Sequence, residues 1–177
     1  ALQRALLAAF PDRLAKRREA MSPRAVMVGG RGVKIGPKSS VTRDELFLCI
    51  DVDDAGAEAI VRQASAVERA WLPAENLRTP IELFFHPSQR QVMARRRTYW
   101  EDLLLDEAPT SVPDDDRAAD LLFENASREW QRVFPADNDA IGGFVTRVRC
   151  LAQWAPELEL PAFDESSLRN VLRQLCH

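Results

Sequence analysis

The chain has 177 residues, 46% apolar and 29% charged, with a net charge of −3. That composition excludes wholesale disorder, and the length suits one generous domain or two small ones. No run is long enough to span a bilayer, and the N-terminus lacks a signal-peptide layout. Three widely spaced cysteines, Cys49, Cys150 and Cys176, point to reduced thiols and a cytoplasmic home. The chain opens on Ala1 within an apolar-periodic stretch and stops at His177 without helix-ending residues, so it reads as an excised piece of something longer.

In chain order, residues 2–18 are predicted to be helical: Leu2, Leu6 and Ala9 share a stripe, and Pro11 can start a further turn holding Leu14 and Ala15. Ala25–Val28 and Val33–Ile35, split by Gly29, Gly30 and Gly32, read as a hairpin or bulged strand pair. Leu46–Val52 is an almost wholly apolar strand running into Asp51, Asp53, Asp54 and Gly56. Residues 58–65 read as another strand and Val67–Leu77 as a short helix. Ile81–Phe85, the turn at His86–Gln89, and Arg90–Trp100 make a longer hairpin.

Five strands with tight turns predict an α+β chain: an OB-like five-stranded β-barrel over 21–107, preceded by a helix in 1–20 and followed by a helical extension. A Tudor- or SH3-like barrel is the nearest rival. Ala108–Pro113 is the linker, and 114–177 is a helical domain that reads as cut short at its C-terminal end. Three helices are expected there. The first, over 114–133, turns Ala118, Leu121, Leu122, Ala126, Trp130 and Val133 inward. The second, over 138–154, buries Ile141, Phe144, Val145, Val148, Leu151 and Ala152. The third, over 165–176, buries Leu168, Val171, Leu172 and Leu175, with Asp164 as N-cap. Trp71, Trp130 and Trp154 sit at helical spacing and are expected in the core.

No Gly-x-x-x-x-Gly-Lys-Ser/Thr loop is present to cradle a nucleotide phosphate, and Gly29, Gly30 and Gly32 do not fit Gly-x-Gly-x-x-Gly. Two histidines, His86 in a turn and His177 at the end, give little basis for a catalytic triad. There is no Cys-x-x-Cys, and Cys49 reads as a core residue. Asp51, Asp53 and Asp54 precede a glycine, where turn formation and solvation are their expected roles. No catalytic centre and no metal site are expected in the chain.

The positive signal is cationic. Residues 1–40 hold nine Lys/Arg against two Asp/Glu, and 88–100 hold four against none. Residues 41–87 hold four against nine, and 101–177 hold seven against sixteen, leaving an acidic second half. Arg13, Lys16, Arg17 and Arg18 cluster after the first helix, and Arg31 and Lys34 follow in the glycine hairpin. Arg95, Arg96 and Arg97 lie beside Tyr99 and Trp100. Guanidinium and ammonium groups neutralise phosphates, and neighbouring aromatics stack unpaired bases. Strand alternation assigns Arg95, Arg97 and Tyr99 to solvent and the Trp100 face to the interior. The competing roles for such arginines are capping a helix dipole and protecting a sheet edge.

Two stretches carry a resemblance. Ala5–Arg18, containing Phe10-Pro11-Asp12-Arg13, and Gly30-Arg31-Gly32-Val33 resemble the segment entering the OB-fold of HrpB-type DEAH-box ATP-dependent helicases. Gly29 stands where that family often has Asn. The strand around Arg95–Trp100 is similar to the start of the family's C-terminal region. The resemblance implies an accessory OB-fold plus C-terminal extension that helps bind and guide single-stranded RNA or DNA, or that docks on the motor lobes or a partner protein. It further implies that ATP and Mg belong only to those lobes, and that Arg13, Lys16, Arg17, Arg31 and Gly32 match family positions.

Overall fold

The computed structural model describes residues 2–56, 58–134, 139–161 and 163–177. It is a mixed α+β chain with a closed five-stranded β-barrel, a helix before it and helices at the C-terminal end. The chain divides into two compact units: Ala1–Ile81 with Arg96–Ala108, and Glu82–Arg95 with Pro109–His177.

Helix α1 (Leu2–Ala9) ends where proline forces it to. Phe10, the residue before Pro11, leaves helical geometry at φ −135° and ψ 58°, because the proline ring disfavours that conformation in its predecessor. A single 3₁₀ turn (Pro11–Arg13) follows, and Leu14–Arg17 is strand β1 rather than the second helical turn that the sequence suggested. The barrel continues through β2 (Arg24–Met27), β3 (Gly32–Ile35), β4 (Leu46–Asp53) and β5 (Ala59–Val67). Its closed order is β1-β2-β3-β5-β4, with every pair antiparallel except β3 and β5. The barrel is therefore built from residues 14–67. The hairpin 81–100, expected to supply its last strands, belongs to a second sheet.

That sheet runs β6 (Leu77–Arg78), β8 (Gln91–Trp100), β7 (Ile81–His86), with β9 (Leu103–Thr110) also pairing with β8. Between β5 and β6 the expected helix is two separate 3₁₀ turns, Arg69–Trp71 and Ala74–Asn76, divided by Pro73. Strand β9 extends to Thr110, so residues 108–110 of the expected linker are extended chain.

Alternation along the strands sorts the apolar residues of the first unit into two clusters. Ala15, Ala25, Val33, Phe47, Cys49 and Val61 form one, filling the barrel. Leu14, Leu46 and Leu48 point the other way and pack with Leu7, Trp100, Leu103 and Leu105. Strand β4 is thus buried on both faces, which is why 46–50 is an unbroken apolar run instead of an alternating one. Trp100 is 2% exposed, and its indole Nε1–H donates to the Pro11 carbonyl at 3.0 Å. That bond ties the turn after α1 to β8.

In the second unit, α2 (Asp116–Arg128) is capped by Asp115, which accepts from the Arg117 backbone N–H at 3.0 Å. The expected cap of α5 (Glu165–Cys176) is present: Asp164 accepts from Ser167 N–H at 2.7 Å. Helices α2 and α5 pack together, with Arg173 lying over Phe123 and Leu172 and Ala119 buried. Of the other residues expected to be buried in α5, Val171 and Leu175 are exposed. A short α3 (Trp130–Val133) puts Trp130 against Phe134.

Helix α4 (Asp139–Trp154) departs from expectation. Ile141, Phe144 and Leu151 are exposed, and Trp154 is 78% exposed rather than in the core. The main described neighbours of α4 are the turn at Pro156–Leu158 and Phe163, too small a surface to cover an apolar stripe.

Trp100→Phe removes the bond to Pro11 and should lower stability by about 1–2 kcal/mol in denaturant titration. Asp115 has its carboxyl held below the ordinary range by the Arg117 side chain, and Asp164 by the Ser167 backbone N–H. Each prefers the charged form when folded, so its contribution is complete above about pH 4 and is lost as pH falls further. Helical circular dichroism should therefore decline below about pH 4, and Asp164→Ala should show less of that decline.

Candidate nucleic-acid interface

Because β1, β2 and β3 turn alternate residues into the barrel, the remaining ones share an outward face. Lys16 lies on β1, Arg24 and Val26 on β2, and Gly32 and Lys34 on β3, with Arg18 just past the end of β1. The register sets Arg24 opposite Lys34 and Val26 opposite Gly32. Arg18 donates its backbone N–H to the Arg24 carbonyl at 3.0 Å and brings its guanidinium near Gly32. Glu58 meets both Arg24 (3.1 Å) and Lys34 (4.0 Å), so one carboxylate is shared by two cations. Lys16 lies 3.3 Å from Glu45 and also donates to the Leu105 carbonyl. Among the described residues Arg18 takes part in no ion pair. The face keeps a surplus of positive charge.

A cleft of about 340 Å³ opens beside this face, lined by Lys16, Arg18, Val26, Gly30, Asp102 and Leu104. A second cleft of about 380 Å³ shares Lys16 and Arg18 and adds Arg43 together with Glu19 and Glu45. The glycine turn shapes the rim of the first. Gly29 (φ 85°) and Gly30 (φ 71°) both lie in the left-handed region that side chains resist. The Gly29 N–H donates to both Asp102 oxygens, at 2.8 and 3.1 Å.

The other cations expected at a site are placed differently. Arg17 is 5% exposed, with its guanidinium directed to the carbonyls of Asp44 (3.0 Å), Val41 (3.3 Å) and Ser22, over the Phe47 ring. It closes one end of the barrel and holds the loop that follows β1. Arg13 donates to the Ile50 carbonyl at 3.0 Å and lies over Phe10, while Arg31 pairs with Asp54. Asp12 and Asp51 share the cleft that these two line, so positive charge there is offset.

On β8, Arg95 lies 3.9 Å from Glu82 and over Phe84, and Arg97 meets Glu107 at 2.6 Å and the Tyr99 hydroxyl at 3.4 Å. Arg95, Arg97 and Tyr99 are half-buried, and it is Arg96 that is exposed. The expected assignment of the first three to open solvent is thus corrected, since both arginines are drawn down onto neighbouring glutamates.

The aspartate that ends β4 does turn-forming work. Asp53 accepts from Ala55 N–H at 3.0 Å, which with Arg62 holds its carboxyl below the ordinary range. No group of three His, Cys, Asp or Glu among the described residues is placed to hold a metal. Cys49 is fully buried, and burial pushes its thiol up to about 12. All three cysteines are free thiols, and no described helix is long and apolar enough to cross a membrane.

Sequence reasoning missed Arg24 and Asp102. The hairpin register could have placed Arg24 opposite Lys34. Asp102 reaches Gly29 across 73 residues, and no local signal marks it.

No family model matches the chain, and no curated protein matches its sequence. Among solved structures, the fold is similar to part of the Escherichia coli DExH-box NTPase HrpB, with a TM-score of 0.56 and 23% identity. A second structure, of the E. coli DEAH/RHA helicase HrpB, gives 0.55 and 21%. Each match covers 97% of this chain and 22% of that one, so the chain spans under a quarter of the protein it resembles.

Arg17→Ala leaves three inward carbonyls without a donor and should cost about 3 kcal/mol by chemical denaturation. Arg17→Lys should recover only part of this, because an ammonium cannot fork to three acceptors as a guanidinium does.

Proposed function

We propose that the chain is an accessory part of an ATP-dependent RNA or DNA helicase, and that it contacts single-stranded nucleic acid through the outward face of β1, β2 and β3. The single observation carrying this is the surplus of cations there: Lys16, Arg18, Arg24 and Lys34 against Glu45, Glu58 and Asp102. The closed strand order, the parallel β3–β5 pair and the likeness to part of HrpB support an OB-fold, whose second and third strands commonly bind oligonucleotides. Binding is weak, depends on phosphate and lacks aromatic stacking in the cleft. ATP and Mg belong to motor lobes outside this chain, and the setting is cytoplasmic.

A second reading has its own observation. The exposed Ile141, Phe144, Leu151 and Trp154 on α4 favour docking against protein, with the motor lobes as partner. Phe144→Glu with Trp154→Glu should abolish capture of separately produced motor lobes; capture unchanged by both would remove this reading.

The first is tested by fluorescence anisotropy of a labelled single strand across a salt series. Log affinity should fall linearly with log salt, and removing one phosphate-binding cation should reduce the slope by about 0.7. Arg18→Ser with Arg24→Ser should flatten the slope, whereas Arg97→Ser should leave it nearly unchanged. No binding at low salt would refute the proposed role.

A further inference from the structure

The cleft beside the cationic face contains one group that phosphate binding does not explain. Asp102 puts a carboxylate among Lys16, Arg18 and the apolar Val26 and Leu104. Among the described residues it makes no ion pair with either cation. Instead the Gly29 N–H holds both of its oxygens, fixing the carboxylate at the rim. A carboxylate offers about four lone-pair sites, so each oxygen can accept again.

We infer that this cleft seats an unstacked guanine, with Asp102 accepting from its Watson–Crick edge while Arg18 and Lys16 meet the flanking phosphates. The choice of base follows from donor geometry. Guanine alone has two adjacent donors on that edge, N1–H and the N2 amino group, matching two carboxylate oxygens. Cytosine and adenine set one amino donor beside a ring-nitrogen acceptor, and uracil sets one N–H between two carbonyls. In each of those an acceptor faces the carboxylate and opposes it. The cleft volume, about 340 Å³, falls at the lower end of small-molecule sites, and its apolar residues suit the flat face of a base. Single-strand recognition of this kind reads base edges that a duplex would hide. The inference rests on the proposed nucleic-acid contact and adds a base preference to it.

The test uses the 177-residue chain and short labelled oligouridines carrying one central guanine, inosine, adenine or uracil, each also made as the DNA equivalent with thymine as background. Guanine should bind about five- to tenfold more tightly than adenine or uracil, the lower range for an exposed bidentate contact. Inosine, which lacks the N2 amino group, should fall between. In Asp102→Asn the guanine advantage should disappear, because the amide offers one acceptor and one donor while still capping Gly29. Should that variant fail to fold, the guanine-to-inosine change reads the same interaction from the ligand side. Equal affinity for all four bases with intact salt dependence overturns the guanine site and leaves the phosphate contact standing. A guanine preference that survives Asp102→Asn also overturns it. Absence of binding to every strand at low salt overturns both.

Discussion

Strand β4 is buried on both faces, and the arrangement of the first unit follows from that. Phe47 and Cys49 fill the barrel, while Leu46 and Leu48 join Leu14, Trp100, Leu103 and Leu105 outside it. Removing Leu46, Phe47, Leu48 and Cys49 from water on one strand is worth several kcal/mol at about 25 cal/mol per Å². The outer cluster covers β4 and the start of β1 and takes in Val26 of β2 at its margin, so the far end of β1, with β3 and the start of β2, keeps an open outward face. Arg24 and Lys34 on that face stay largely exposed, while Lys16 is drawn down to the Leu105 carbonyl.

Arginine fills three distinct roles. Buried Arg17 satisfies carbonyls that would otherwise lack donors and so orders the loop carrying Arg18. Arg31, Arg95 and Arg97 are drawn onto nearby carboxylates, where solvent screening leaves each pair modest in energy. Arg18 makes no ion pair among the described residues, and Arg24 and Lys34 share the single carboxylate of Glu58. A basic cluster in a sequence therefore becomes a phosphate-binding face only where the register sets more cations than acids within reach of one another.

The strands at 24–27, 32–35, 46–53 and 59–67 were legible because alternation, glycine punctuation and apolar runs are local signals. The helix at 2–9 and the Asp164 cap were legible for the same reason. Strand β1 was not: four residues are too few to show a period, and Leu14 with Ala15 continues a helical stripe equally well. The barrel's membership was hidden too, since Leu14 on β1 pairs with Leu48 on β4, far along the chain. Helix α4 showed the limit of amphipathic patterning, which reports that a face seeks a cover and not that one is present. Within the site, Lys16, Lys34 and the Gly29–Gly30 turn were read from the chain, whereas the Asp102 bond to Gly29 depends on tertiary structure alone.

The most direct measurement is cross-linking of a 4-thiouridine-bearing single strand to the chain, with the modified residues identified by mass spectrometry. Contact through the barrel face places cross-links in residues 16–34 and 102–104. Cross-links concentrated in 139–176, or binding that yields none on the barrel, would contradict the account.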